Sequence, residues 1–96
     1  IQHPAATYFV RVEGYSMINA GIYPGDILIV DRSLEAANGK VVIAVLDGEF
    51  TVKRLSVNKK GDYFLIPDNP DYQTIRITEN IGFSVWGVVT NVIHKV

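Results

Sequence analysis

The sequence predicts an all-β domain, a small barrel-like or sandwich fold built of short strands. Three observations lead there. Runs of strand length, apolar or alternating, recur along the chain, and clusters of Gly, Pro, Asn and Asp separate them. One such cluster, Asp47-Gly48, sits between two apolar runs and is the sequence of a two-residue hairpin turn. The chain has 96 residues with no internal repeat, the length of one domain with one modest core.

Tyr8 to Glu13 alternates and reads as a half-buried strand that Gly14 ends. Ser16 to Ala20 is too short for a free helix and suits a single turn. Gly21 and Pro24-Gly25-Asp26 form a turn cluster. Ile27 to Val30 is continuously apolar, the pattern of a strand covered on both faces. Asp31 to Asn38 is a polar connection. Val41 to Leu46 and Glu49 to Val57 then flank Asp47-Gly48 as a hairpin. A type I′ turn places Val45 opposite Phe50, Ile43 opposite Val52 and Val42 opposite Lys53. Asn58 to Asp62 is a polar turn. Tyr63 to Ile66 is a strand stopped by Pro67, and Asp68-Asn69-Pro70-Asp71 is a loop. Tyr72 to Ile77 alternates as a strand. Phe83 to Val96 holds one or two more, with Gly87 as a bulge.

Composition narrows the function classes. Hydrophobic residues make up 48% and charged residues 20%, which is globular and not disordered. A formal net charge of -1 gives no global field for nucleic acid. Five Tyr, four Phe and one Trp have the faces to stack bases, but no basic stripe accompanies them. Lys59-Lys60 and Lys53-Arg54 are too few to make one. With no cysteine there is no disulfide and no thiolate site. No apolar run approaches the roughly 18 residues of a membrane span, and no signal peptide pattern is visible. His3 and His94 stand at opposite ends of the chain without a ligand cluster, so neither a metal nor a cofactor is expected. Asp26 and Asp31 flank a strand as turn and capping carboxylates, and Trp86 reads as core or interface.

One pair of residues suggests chemistry. A serine hydroxyl is a poor nucleophile until a base takes its proton. Lysine serves as that base only when neutral, and its ordinary pKa is about 10.4. Burial disfavours the ammonium, so a working Ser–Lys pair needs an apolar setting with no carboxylate beside the amine. The hairpin register gives Lys53 such a setting: its neighbours on one face are Val42, Ala44, Thr51 and Leu55, none charged. Arg54 points to the other face, and Glu49 lies too far back along an extended strand. Ser16 follows Gly14 in a turn and opens the short Ser16-Met17-Ile18 segment. Exposed N–H groups there suit a developing oxyanion. Taken singly, a Gly-x-Ser is ordinary turn chemistry and a strand lysine is an ordinary surface residue.

What joins them is a resemblance. Gly14-Tyr15-Ser16-Met17, Gly25-Asp26-Ile27-Leu28-Ile29-Val30-Asp31 and Gly48-Glu49-Phe50-Thr51-Val52-Lys53-Arg54-Leu55 resemble the signature blocks of the LexA/UmuD family. The similarity is greatest to its UmuD-type branch and runs over essentially the whole chain, from Ile1-Gln2-His3-Pro4 to Trp86-Gly87-Val88-Val89. The spacing of 37 residues from Ser16 to Lys53 also matches. The resemblance implies a single mostly β LexA-like peptidase domain over residues 1–96, bacterial and cytoplasmic. Ser16 matches the family's nucleophile and Lys53 its general base. It further implies a homodimer, self-cleavage provoked by the RecA–single-stranded DNA filament, and a shortened product that joins a UmuC-type Y-family DNA polymerase in SOS mutagenesis.

Two departures stand out. Tyr15 occupies a position where the family often has a small or acidic residue. The chain opens inside the peptidase domain, so the N-terminal arm with its scissile bond is expected to lie outside it. Ala20-Gly21 is the dipeptide type that the family cleaves, but it falls within the turn that presents Ser16 and reads as structure. The alternative reading is the C-terminal dimerisation and self-cleavage domain of a LexA-type repressor. Phe83 to Val96 is apolar for a terminal segment, and we expect it to pair with a twin across a two-fold axis.

Overall fold

The computed structural model describes residues 4–96. Among these are seven strands: β1 (Thr7–Arg11), β2 (Ile27–Asp31), β3 (Val41–Leu46), β4 (Glu49–Val57), β5 (Tyr63–Ile66), β6 (Ile75–Arg76) and β7 (Phe83–Ile93). Two 3-10 turns, Pro4–Ala6 and Ile18–Ala20, accompany them. All pairings are antiparallel, in one sheet of order β1-β2-β7-β3-β4-β5-β6. The fold is thus all-β, as the turn-punctuated sequence requires.

The β3–β4 hairpin has the expected register, with Val42 opposite Lys53 and Ile43 opposite Val52. Asp47 and Gly48 both take positive φ, 48° and 86°, the signature of a type I′ turn. β3 is buried on both faces, which explains its unbroken apolar sequence. Ile43 packs into one cluster with Val12, Met17, Ile22, Leu28 and Val30. Its neighbours Val42 and Ala44 pack into a second with Leu55, Leu65 and Val88. The first cluster contains Met17, so burying that side chain fixes the segment carrying Ser16.

β7 joins the two halves of the sheet. Its first half pairs with β3 and its second half with β2, with register shifts at Trp86 and Thr90. Phe83 to Val96 therefore holds one long strand with two irregularities and not two strands. The extra residues are Trp86 and Thr90, while Gly87 itself pairs with Ile43. The glycine serves a close approach instead, because a Cβ at position 87 would stand 2.5 Å from Val30 Cγ1. A strand crossing this close to the core has no room for a side chain.

The strand expected over Tyr72 to Ile77 shrinks to Ile75–Arg76. Asn69 and Pro70 hold the chain in a turn closed by the Tyr72 N–H on the Asn69 carbonyl (3.1 Å), so pairing with β5 starts late. The first strand also ends earlier than its alternation suggests, at Arg11.

Candidate active site

β5 pairs with β4 only from Arg54 to Val57. The first half of β4 therefore keeps one open edge. In this register Val52 belongs to a non-hydrogen-bonded pair of the hairpin, so its N–H and C=O point out at that edge. The chain segment bearing Ser16 packs beside it. Gly14 lies in the left-handed region at φ 78°, which turns the chain away from β1, and no side-chain-bearing residue adopts that angle as easily. Met17 then buries its side chain to 2% exposure, and Ile18–Ala20 closes a single 3-10 turn capped by Gly21. Ala20-Gly21 is thereby part of the turn itself.

Lys53 is 8% exposed. Its Nζ lies 2.9 Å from Ser16 Oγ, 2.7 Å from Thr51 Oγ1 and 3.0 Å from the Val52 carbonyl. Around the stem of the side chain, Val42, Ala44 and Leu55 are all buried. Among the described residues no carboxylate forms an ion pair with it; the pairs are Arg54 with Asp68, Arg76 with Asp62 and His94 with Asp26. Burial without a counter-charge pushes the Lys53 amine below the usual lysine range. Arg54, on the other face, donates to Asp68 and to the Gly39 carbonyl instead.

The three oxygens around Nζ match the three donors of an ammonium, and they also accommodate a neutral amine. A neutral amine has two N–H donors and one lone pair. In the neutral form Thr51 Oγ1 and the Val52 carbonyl can take the two donors, which leaves the lone pair for the Ser16 hydroxyl. The N–H groups of Ser16 and Met17 make no hydrogen bond among the described residues. A cleft of about 220 Å³ opens over the serine, lined by the end of β1 and the residues that follow it, Val10 to Gly14, by Met17 and by Phe50, Thr51 and Val52.

The remaining polar residues have structural partners. Asp26 accepts from the Tyr23 N–H and pairs with His94 at 2.8 Å, and the Tyr23 N–H followed by His94 holds its carboxyl below the usual range. Asp31 accepts from the Ser33 N–H and hydroxyl. Trp86 packs against Tyr8 and Phe50, with the Arg32 guanidinium over its ring. His3 lies outside the described residues; among those described, no group of His, Cys, Asp or Glu is arranged to hold a metal ion.

Thr51 is legible in the sequence as a neighbour of Lys53, since residues two apart share a strand face. Its role as a hydrogen-bond partner is not. Asp68 and Asn69, which touch the Ser16 turn, carry no sequence signal beyond that of a loop.

Comparison with known proteins gives the family. A family model described as Peptidase S24-like matches residues 1–90. The chain is 46% identical over 95 residues to Protein ImpA of Salmonella typhimurium, covering 99% of this chain and 63% of that protein. It is 46% identical over 92 residues to Protein MucA of Escherichia coli, covering 95% and 62%. It is 44% identical over 88 residues to the LexA repressor of Delftia acidovorans, covering 92% and 39%. The chain thus spans a little under two thirds of the length of ImpA and MucA.

Proposed function

The chain belongs to the Peptidase S24-like family, and on that premise we propose that it is the catalytic domain of a self-cleaving peptidase working through a Ser16–Lys53 dyad. The observation that carries this reading is the 2.9 Å approach of Lys53 Nζ to Ser16 Oγ in a buried setting that lowers the pKa of the amine.

In this mechanism the Lys53 lone pair takes the Ser16 proton as Oγ attacks the carbonyl carbon of the scissile peptide. The carbonyl oxygen becomes an oxyanion, and the unengaged N–H groups of Ser16 and Met17 are placed to receive it. Collapse breaks the C–N bond. Lys53 hands its proton to the departing amine and leaves an acyl-Ser16 ester. Water, deprotonated by Lys53, then hydrolyses the ester and restores the dyad. The cleft beside β1 holds the substrate segment as an extended chain.

The biological reading follows the resemblance and the relatives. We take the parent protein to be bacterial and cytoplasmic, and its self-cleavage to be stimulated by a RecA–single-stranded DNA filament. The processed homodimer then acts with a UmuC-type Y-family polymerase in SOS mutagenesis. Among the described residues no helix is long and apolar enough to cross a membrane. The dimer has a physical opening: β7 beyond Val88 pairs with β2 on one side and with no strand among the described residues on the other. That free edge is a template for a second copy. The match to a LexA repressor supports a second reading, the self-cleavage domain of a repressor, which an upstream DNA-binding domain in the full-length protein would establish.

The test is self-cleavage of the full-length protein. Ser16→Ala and Lys53→Ala are each expected to lower the rate by at least about three orders of magnitude. Cleavage by either variant at the parental rate and neutral pH overturns the dyad. Co-purification of the processed protein with the polymerase, retained in Ser16→Ala, tests the accessory role separately.

A further inference from the structure

Ser16 stands on no regular element. Behind it is the left-handed Gly14, and ahead of it a single 3-10 turn. A segment this short does not hold a hydroxyl to within the fraction of an ångström that proton transfer demands. Its position has to come from elsewhere, and the structure shows where. We propose that Asn69 is a positioning residue for the dyad, setting where Ser16 Oγ stands relative to Lys53 Nζ. This inference rests on the dyad reading.

Asn69 is a buried polar residue, 8% exposed, in the loop that leaves β5. Its Nδ2 donates to the carbonyl of Tyr15 at 2.9 Å, the residue immediately before Ser16. Its Oδ1 accepts from the Asp71 N–H at 3.0 Å. Both ends of the amide are used, so the donor cannot turn away without losing a second bond. Pro70 restricts the Asn69 backbone further. Asp68 ties the turn at two more points: its carbonyl accepts from the Asn19 N–H at 2.8 Å, and its N–H donates to Met17 Sδ at 3.3 Å. Ser16 is therefore gripped at residues 15, 17 and 19.

The loop is in turn bolted to the strand that carries the base. Arg54, next to Lys53, donates through Nε and Nη2 to Asp68 Oδ2 at 3.2 and 2.8 Å. A closed path thus runs from Lys53 through Arg54, Asp68 and Asn69 to Tyr15 and back to Ser16. Of the three ties to the serine turn, Asn69 alone supplies a loop side chain, and it acts on the peptide bond adjoining Ser16. Of the two carboxylates nearby, Asp68 pairs with Arg54, and neither it nor Asp71 pairs with Lys53.

The experiment measures self-cleavage of the full-length protein against pH in Asn69→Asp and Asn69→Ala, with Ser16→Ala as reference. Asn69→Asp keeps an oxygen for the Asp71 N–H but turns a second oxygen toward the Tyr15 carbonyl. The expected result is a plateau rate at least about tenfold lower in both variants, since small displacements of reacting groups slow reactions steeply. The pH midpoint should stay near parental in Asn69→Ala, which adds no charge and leaves Lys53 buried, and should move up in Asn69→Asp, which sets a carboxylate near the amine. The deficit should also persist on cooling far below the melting temperature, where loss of stability alone has no effect. If one variant melts below the assay temperature, the other decides. A folded variant cleaving within twofold of the parent, or a deficit that vanishes on cooling, overturns the assignment of Asn69. Full activity in Ser16→Ala would instead remove the dyad reading itself.

Discussion

At the scale of single residues, the chemistry depends on one amine being uncharged. Lys53 is held below the usual lysine range by burial, so the self-cleavage rate should rise with pH and level off below the ordinary lysine value. The same shift makes a stability prediction, and its sign can be worked out. At neutral pH the unfolded chain binds a proton on Lys53 more readily than the folded one. Between the folded and unfolded pKa values, stability therefore rises with pH. Lys53→Met, which removes the buried amine, should be more stable than the parent by about 0.5–2 kcal/mol at neutral pH. The gain should shrink as pH climbs toward the unfolded lysine value. Equal melting temperatures across that range would show that the amine carries no burial penalty. Thr51 offers a finer test. Thr51→Val leaves one Lys53 N–H without its acceptor and frees the lone pair to swing from Ser16, while Thr51→Ser keeps the hydroxyl. Cleavage rates should fall about tenfold or more in the valine variant and stay near parental in the serine variant.

At the scale of elements, the hairpin and β7 do the positioning. The hairpin is readable from sequence because its turn is short: Asp47-Gly48 admits one register, and that register alone sets Lys53 opposite Val42. The open edge of β4 is not readable, because it depends on where β5 stops pairing. Nor is the grip of Asp68 and Asn69 on the serine turn. Those contacts join residues about fifty positions apart through backbone groups, one methionine sulfur and the Asn69 amide, which no local pattern encodes. The same limit explains why the strand expected over Tyr72 to Ile77 is cut to two residues. Alternation is a local signal, and the Asn69-Pro70 turn overrides it. Gly87 has the sequence setting of a bulge, but it is the residue at which β7 crosses Val30. Gly87→Ala should destabilise the fold by about 1–3 kcal/mol, measured by chemical denaturation, because Val30 is fully buried and has little room to retreat. A change under about 0.5 kcal/mol would mean the crossing is looser than it looks.

At the scale of the whole molecule, a single sheet with cores on both faces brings a turn and a strand edge together. One core anchors Met17 and the other buries the stem of Lys53. The proposed dyad draws its chemistry from these two side chains. The outer edge of β7 beyond Val88, unpaired among the described residues, is the surface proposed for self-association. Sedimentation at tens of micromolar should report a dimer, and a monomer there would rule out β7 pairing as the route to one. The proposed catalysis turns on the charge state of Lys53 beside Ser16. The most direct test is a ¹³C-edited NMR titration of the Lys53 Cε resonance in the folded domain. A dyad base should titrate with a midpoint clearly below that of an ordinary lysine, moving no other lysine with it. A Lys53 that titrates at the ordinary lysine value would contradict the dyad.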